Sequence, residues 1–345
     1  MWAIEELLMK ARELKASDIH LTVDSPPVFR IDGDLKPLGT EMLNNEIISG
    51  YVESFTNQEQ KGLWEEKGEL DFSYGLGSLG RYRINAFKQR GSSCLVIRVI
   101  PYAALTPEEL GLPQAIVNFA SLPRGLVLVT GPAGSGKSTT LASLLNLINH
   151  TRSGHIITLE DPIEYWHQHR KCLVTQREVG QDTKSFATAL RAALRQDPDV
   201  ILVGEMRDLE TIAMTITAAE TGHLVFSTLH TYDAAQAIDR IIDVFPPHQQ
   251  NQIRIQLASV LQGIVAQQLF PTVGKKGRVA AFEILIASTA VKNMIRENKT
   301  HQIKNIIQTS AQIGMQSMEK AVEELSKKGL ISPQITRERL QGFIG

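Results

Sequence analysis

The sequence predicts an α/β protein of two domains, an α+β module followed by a parallel sheet whose faces are covered by helices. Three observations support this prediction: a length of 345 residues, strand and hairpin patterns before residue 100, and apolar strands alternating with helical stripes after residue 124. Hydrophobic residues make up 43% of the chain and charged residues 21%, a composition that excludes a disordered protein.

The N-terminal module reads as one opening helix followed by strands. The pair Asp32-Gly33 between two short apolar segments is typical of a tight hairpin turn. A second hairpin is predicted further along, where glycines separate two alternating segments. The predicted elements are a helix over 2–14 and strands over 17–21, 28–31, 70–74, 81–87 and 94–100, with Leu35 in the return strand of the first hairpin.

Prolines mark the predicted domain boundary. Four of the 14 prolines lie between residues 101 and 123, and proline interrupts regular elements, so this segment is interpreted as a linker or hinge. The alternative is an irregular connection inside one domain. The predicted division is an N-terminal domain over 1–100, a linker over 101–123, a core over 124–270 and a helical C-terminal region over 271–345.

The core is predicted from four nearly continuous apolar runs, at 126–129, 156–159, 200–203 and 224–226. Runs of this kind are typical of strands buried on both faces. Helical stripes separate them, one over 141–148 and another over 186–194. This alternation indicates a parallel sheet between two layers of helices.

Charge and cysteine content exclude several function classes. The 36 Lys and Arg residues nearly balance the 37 Asp and Glu residues, so bulk electrostatics predicts neither nucleic-acid nor anionic-membrane binding. Cys94 and Cys172 are too few for a disulfide framework or a four-cysteine zinc site. No apolar run approaches the ~18 residues of a membrane span. We therefore expect a cytosolic protein without a signal peptide.

The strongest functional signal is a Walker A motif between a predicted strand and a predicted helix. Its glycines let the backbone curve around phosphate oxygens, and its amides and the helix N-terminus supply positive potential. Lys137 is expected to reach the β- and γ-phosphates, and the Ser138 hydroxyl to ligate Mg²⁺. The predicted nucleotide-binding residues are Gly131, Pro132, Ala133, Gly134, Ser135, Gly136, Lys137, Ser138 and Thr139.

Acidic residues follow two of the predicted strands, where parallel sheets bind their ligands. The first group runs from Glu160 to Glu164, and the second is Gly204-Glu205, in which glycine replaces the usual Asp of a Walker B motif. Hydrolysis needs a carboxylate for the attacking water, and from the residues alone either Glu164 or Glu205 could serve. His223 and His230 flank the last strand, and either could sense the γ-phosphate or be a structural histidine.

Five segments together resemble the secretion-ATPase superfamily of type II and type IV secretion and pilus systems, and within it the pilus-retraction branch. They correspond to the family's N-terminal signature, Asp box, atypical Walker B, His box and C-terminal stretch. Val291-Lys292 and Met294 depart mildly from the last of these. The segments are 16–21, 156–165, 203–211, 221–230 and 290–296.

The resemblance implies a PAS-like N-terminal domain joined by a hinge to a RecA-like P-loop ATPase domain, with ATP bound between them. It implies that Glu164 is the catalytic glutamate and that Glu205 supports Mg²⁺ together with Ser138. N-terminal arginines would reach the phosphates, with Arg83 a further candidate. The catalytic residues expected on this basis are Glu164, Glu205, His230, Arg81 and Arg98.

The resemblance also implies a homohexameric motor that uses ATP and Mg²⁺ to power pilus retraction and twitching motility. Its partners would be an inner-membrane platform protein and a paired assembly ATPase, and no nucleic acid is expected. The motor would be cytoplasmic, at the inner face of the membrane, and held there through partners only.

Three alternatives remain open at the level of sequence. A pilus-assembly or type II secretion ATPase would usually carry extra N-terminal domains and a four-cysteine zinc module. A RecA-like hexameric helicase would call for basic residues interleaved with aromatics, which the sequence does not show. A nucleotide-dependent scaffold would have negligible turnover.

Overall fold

The computed structural model describes residues 2–76, 80–101, 104–274 and 277–342, with side chains to 339. Residues 102 and 103 of the predicted linker, and 275, 276 and 343–345 of the C-terminal region, lie outside this description. The chain forms two compact units. The first is Met1–Ala103 with Glu164–Trp166, and the second is Ala104–Ile163 with His167–Gly345.

The first unit is built on a six-stranded antiparallel sheet with the order β3-β2-β1-β6-β5-β4. Its strands are β1 (Asp18–Leu21), β2 (Val28–Ile31), β3 (Asp34–Pro37), β4 (Glu69–Gly75), β5 (Arg81–Gln89) and β6 (Ser92–Ile100). Its helices are α1 (Ile4–Glu13), α2 (Asn45–Phe55) and α3 (Gln58–Lys67).

The predicted hairpins of this unit are confirmed. Ile31 pairs with Asp34 across a two-residue turn in which Asp32 and Gly33 both have positive φ, the conformation that a tight hairpin requires. β4 and β5 pair as predicted, and the structure places Phe72 opposite Ile84. The core lies where α1 and one face of the sheet bury their apolar residues.

Helices α2 and α3 were not predicted from the sequence, for different reasons. In α2 the signal is present, since Ile48, Val52 and Phe55 are buried at helical spacing and Asn44 caps the first turn. In α3 there is little to find, because none of residues 58–67, all of them described, is buried. Gly62 inside α3 weakens the helical pattern further.

The second unit is built on a seven-stranded sheet with the order β13-β12-β7-β11-β10-β8-β9, parallel except for the pair β12–β13. Its strands are β7 (Gly125–Thr130), β8 (Gly154–Glu160), β9 (Cys172–Glu178), β10 (Val200–Val203), β11 (Leu224–Leu229), β12 (Leu261–Pro271) and β13 (Arg278–Ile286). Its helices are α4 (Gln114–Val117), α5 (Lys137–Thr151), α6 (Phe186–Ala193), α7 (Leu209–Glu220), α8 (Ala234–Asp243), α9 (Pro247–Val260), α10 (Thr289–Arg296), α11 (Ile303–Thr309), α12 (Met318–Lys327) and α13 (Pro333–Gly342).

The four predicted core strands are confirmed as β7, β8, β10 and β11, the centre of this sheet. β7, β10 and β11 are buried along their whole length, and an apolar cluster lies on each face of the sheet. The structure differs at the sheet's edges, where β9 and β12 were not predicted. The region predicted as helical from 271 also begins with strand β13 and turns helical only at α10. Among the described residues, no helix has the length and apolar content to cross a membrane.

Candidate active site

The Walker A segment forms the loop between β7 and α5 and depends on its glycines. Gly131, Gly134 and Gly136 have φ values of +143°, +74° and +89°. A Cβ at Gly131 would collide with the carbonyl oxygen of Gln267, and one at Gly136 would lie 2.8 Å from the Gln267 Nε2 atom. Gly131 and Gly136 therefore leave no room for a side chain, whereas Gly134 has a left-handed φ that favours glycine.

The loop presents positive groups to one place. Helix α5 is 15 residues long, and Gly136 at its N-cap forms no side-chain cap, so no side chain caps the positive end of the helix where it meets the loop. The Lys137 Nζ donates to the carbonyl oxygens of Gly131 and Pro132 at 2.8 and 3.1 Å, which places the ammonium against the loop. Ser138 and Thr139 follow in the first turn of α5 and are half-buried. This is a site for an anion such as a phosphate chain.

One buried hydroxyl gives independent support for a ligand. The Ser135 Oγ is buried and has no hydrogen-bond partner among the described residues. A buried hydroxyl without a partner costs free energy, which a ligand oxygen near the loop would recover.

Glu205 and His230 lie together at the carboxyl ends of neighbouring strands. Glu205 follows β10 and His230 follows β11, and these strands are paired in register. The Glu205 side chain is only 12% exposed, and its Oε2 lies 2.7 Å from the Arg207 Nε and 3.5 Å from the His230 Nε2. Both predicted residues therefore occupy one cluster, and Arg207 is an addition that the sequence analysis did not make.

The structure explains the glycine of the atypical Walker B motif. A Cβ at Gly204 would lie 3.1 Å from the carbonyl oxygen of Leu159 and 3.4 Å from the Glu160 Cα. The backbone of β8 thus leaves little room for a side chain at this position.

The Asp box is fixed by residues that the sequence analysis missed. The Glu160 Oε1 accepts hydrogen bonds from the Thr158 hydroxyl at 2.6 Å and the Gln176 Nε2 at 3.2 Å. Glu178 is 4% exposed, and its Oε2 accepts the Ile163 amide at 3.2 Å. Both Gln176 and Glu178 lie on β9. Because this strand was not predicted, these two residues were not identified as candidates.

Glu164 and the predicted arginine contacts belong to the first unit, whereas the loop, Glu205 and His230 belong to the second. The Arg98 Nε lies 3.1 Å from an oxygen of Asp18, which is 8% exposed. Arg83 forms a two-pronged pair with Asp71, at 3.0 and 2.7 Å. Arg81 is the first residue of β5 and is half-buried.

The donors at the loop suit Mg²⁺. Among the described residues, no group of three His, Cys, Asp or Glu side chains is arranged to hold a metal ion. Mg²⁺ needs no such group, because it keeps several waters and takes one or two protein oxygens together with phosphate oxygens. The Ser138 hydroxyl and the Glu205 carboxylate, both predicted as its ligands, are oxygen donors of this kind.

His223 lies at the opposite end of β11, where its Nδ1 contacts the Ala218 carbonyl at 2.8 Å.

Comparison with known proteins gives a consistent result along the chain. The model of the family "Type II/IV secretion system protein" matches residues 2–337. The type IV pilus retractation ATPase PilT of Pseudomonas aeruginosa is 48% identical over 336 residues, which cover 97% of each chain. A twitching motility protein of Neisseria gonorrhoeae is 49% identical over 315 residues, covering 91% of this chain and 84% of that protein.

Solved structures agree with the sequence comparisons. The crystal structure of the pilus retraction motor PilT with bound ADP superposes with a TM-score of 0.89 at 49% identity. The match covers 98% of this chain and 97% of that one. The predicted α/β fold class and the predicted family are confirmed.

Proposed function

Because the chain belongs to the type II/IV secretion system protein family, we propose that it is an ATP-hydrolysing motor that powers retraction of type IV pili. The observation that carries this proposal is a complete Walker A loop in a chain that is 48% identical, end to end, to a retraction ATPase. The zinc module of an export ATPase would need four cysteines, and this chain has two.

The loop residues provide the nucleotide site. The amides of the first turn of α5 and the Lys137 ammonium hold the phosphates, and Lys137 exchanges the Gly131 and Pro132 carbonyls for phosphate oxygens when ATP binds. Ser138 and Glu205 would hold Mg²⁺, and the bound ion would supply positive charge against the phosphates. The contacts of the Glu205 carboxylate with Arg207 and His230, which hold it in one orientation, support this role.

Hydrolysis requires a carboxylate that orients the attacking water and accepts its proton, and we assign this role to Glu164. The backbone next to it is held by Glu178 through the Ile163 amide. His230 orients Glu205 through the 3.5 Å contact. Arg81 and Arg98 are assigned as phosphate contacts from the first unit, because an arginine fork meets phosphate oxygens at two points.

The assembly in which this motor works is also part of the proposal. The chain acts as a homohexamer in the cytoplasm at the inner face of the membrane. It engages an inner-membrane platform protein and works beside a paired assembly ATPase. ATP favours the conformation that binds it more tightly, to the extent of that difference in affinity. Turnover removes this preference in each cycle, and the resulting change of conformation drives displacement. The first unit is the PAS-like domain and the second the RecA-like domain of this motor.

Deletion of the gene with complementation tests the proposed direction of the motor. We expect hyperpiliated cells that do not twitch, restored by the wild-type gene and by a Lys328→Ala variant changed at an exposed surface position. Bald cells would contradict retraction and indicate an assembly ATPase.

Lys137→Ala tests the nucleotide site. We expect loss of ATP turnover by at least ~100-fold, because the ammonium supplies charge that the phosphates need, and loss of complementation. The measurement is phosphate release by the purified protein with Mg²⁺, with and without single-stranded DNA. Wild-type turnover in Lys137→Ala would refute the site, and stimulation of the wild-type protein by DNA would favour a helicase.

A further inference from the structure

Strand β12 continues past the end of β7 and lies behind the Walker A loop. The two strands are parallel, and Ala266 pairs with Thr130, the last residue of β7. The next residue of β12, Gln267, is therefore level with Gly131, the first residue of the loop. β12 runs on to Pro271, so its backbone extends past the level at which β7 ends and the loop begins.

Gln267 contacts both ends of this loop. Its carbonyl oxygen would collide with a Cβ at Gly131, and its Nε2 lies 2.8 Å from the position of a Cβ at Gly136. The loop backbone approaches the Gln267 carbonyl oxygen and Nε2 closely at Gly131 and Gly136, where a side chain would not fit. The glycines are thus required by the neighbouring strand as well as by the phosphates.

The side chain of Gln267 also binds the helix that follows the loop. The Thr140 hydroxyl donates to the Gln267 Oε1 at 2.8 Å. Thr140 is 1% exposed and Gln267 3%, so this hydrogen bond is buried. It fixes the orientation of the amide, with the oxygen toward α5 and the nitrogen toward Gly136.

Burying an amide costs more free energy than burying an apolar side chain of the same size, unless hydrogen bonds satisfy the amide. We propose that Gln267 is a positioning residue of the nucleotide site, which holds both ends of the Walker A loop and the first turn of α5 in the phosphate-binding conformation. This inference rests on the proposed function, since it concerns how that site is preorganised. An ordered loop costs less entropy when the nucleotide binds, so the contribution is to affinity.

Gln267→Met tests the proposal, because methionine keeps the length of the side chain and removes both polar atoms. The probe is a fluorescent ADP analogue with Mg²⁺, titrated into the full-length protein. We expect the dissociation constant to rise about tenfold, as for loss of one buried hydrogen bond, and the KM for ATP to rise with it while kcat changes less than about threefold.

The neighbouring residue provides a matched control. Gln268 is 8% exposed on the same strand, and alternation along the strand turns its side chain to the other face of the sheet. Gln268→Met should bind the probe as the wild-type protein does. An equal loss of affinity in both variants would show a general effect on the strand and overturn the proposal.

Thr140 tests the same hydrogen bond from the other side. Thr140→Val should weaken probe binding to the extent that Gln267→Met does, the double variant should be no weaker than either, and Thr140→Ser should restore wild-type affinity. If the single variants bind the probe like the wild-type protein, the inference is wrong. If the wild-type protein does not bind the probe at all, it is the proposed function that fails.

Discussion

Glu283 is a buried carboxyl group whose charge is costly. It is 6% exposed on β13, and it accepts the Ala234 amide at the start of α8 at 2.9 Å. Burial raises its pKa to about 7, with Asp233 and Glu319 adding to the rise and Lys304 opposing it. Near neutral pH the folded protein therefore holds a proton here that the unfolded chain does not.

This raised pKa gives a direction for pH dependence. Because the folded state binds the proton more tightly, the contribution of Glu283 to stability is present below the ordinary pKa of 4.5 and falls as the pH rises to about 7. Glu283→Gln keeps the acceptor and removes the charge, so we expect the variant to be more stable than the wild-type protein by about 2–3 kcal/mol at pH 8. Denaturant unfolding at pH 8 and near pH 4.5 measures the difference in the free energy of unfolding between the two proteins.

The difference between the two proteins should vanish near pH 4.5. Glu323→Gln, at an exposed position on α12, is the control and should show no such pH dependence. A difference for Glu283→Gln that is the same at both pH values would contradict the raised pKa.

Single residues were predictable where consecutive positions carry the chemistry. Lys137 and Ser138 stand in an unbroken motif, and Glu205 and His230 follow strands whose pairing brings them together. Gln267 was not predictable, because its role depends on the register of β12 against β7. Arg207 reads in the sequence as one more surface charge.

At the scale of elements, Asn149 ties helix α5 to the segment that precedes β9. It is 1% exposed, and its Nδ2 donates to the Gln168 carbonyl at 2.6 Å. Its Oδ1 accepts the amides of Arg170 and Cys172, each at 3.2 Å. The helix that begins at the Walker A loop thus also fixes the chain between the Asp box and the edge strand.

Asn149→Ala should release this segment. The two amides would lose their acceptor, so we expect a destabilisation of about 2–4 kcal/mol and faster hydrogen exchange at Arg170 and Cys172. Asn146→Ala, one turn earlier and half-buried, is the control and should change both by little. Unchanged exchange at these amides in Asn149→Ala would contradict the role given to Asn149.

Elements were predictable where burial produces a clear period. The central strands are apolar on both faces and were identified, as was the amphipathic helix α6. Edge strand β9 mixes apolar and polar residues because only part of it is covered. β12 starts directly after α9, so the sequence shows no turn between them.

At the scale of the whole molecule, the chain forms two compact units, and composition predicted a boundary in a proline-rich segment. The boundary between Ala103 and Ala104 falls inside the predicted proline-rich segment. The transfer of Glu164–Trp166 to the first unit was not readable, because it depends on contacts between residues far apart in sequence. The predicted linker, the domain roles and the site residues stay predictions.

Arg296 tests whether the C-terminal stretch engages one of the proposed partners. Val291 and Ile295 of α10 are buried, whereas Arg296 is exposed and donates to the Asn293 Oδ1 on the same helix at 3.0 Å. Arg296→Ala should therefore leave stability within about 0.5 kcal/mol and leave ATP turnover unchanged. If the C-terminal stretch engages a partner, twitching should fall several-fold.

The measurements are twitching, turnover and the mass of the proposed homohexamer in solution. Lys320→Ala, an exposed residue of α12, is the control and should twitch normally. Loss of the assembly in Arg296→Ala would make the residue structural.

Both cysteines are buried, Cys94 at 1% and Cys172 at 2% exposure, and burial raises the pKa of the Cys172 thiol. Alkylating dyes react with exposed thiolates, so we expect little labelling of the two native cysteines. A new cysteine placed on the surface of each unit would then take a fluorophore pair without removal of the native thiols. Energy transfer between the two dyes, recorded on single molecules, would show whether the distance between the labelled positions changes during turnover.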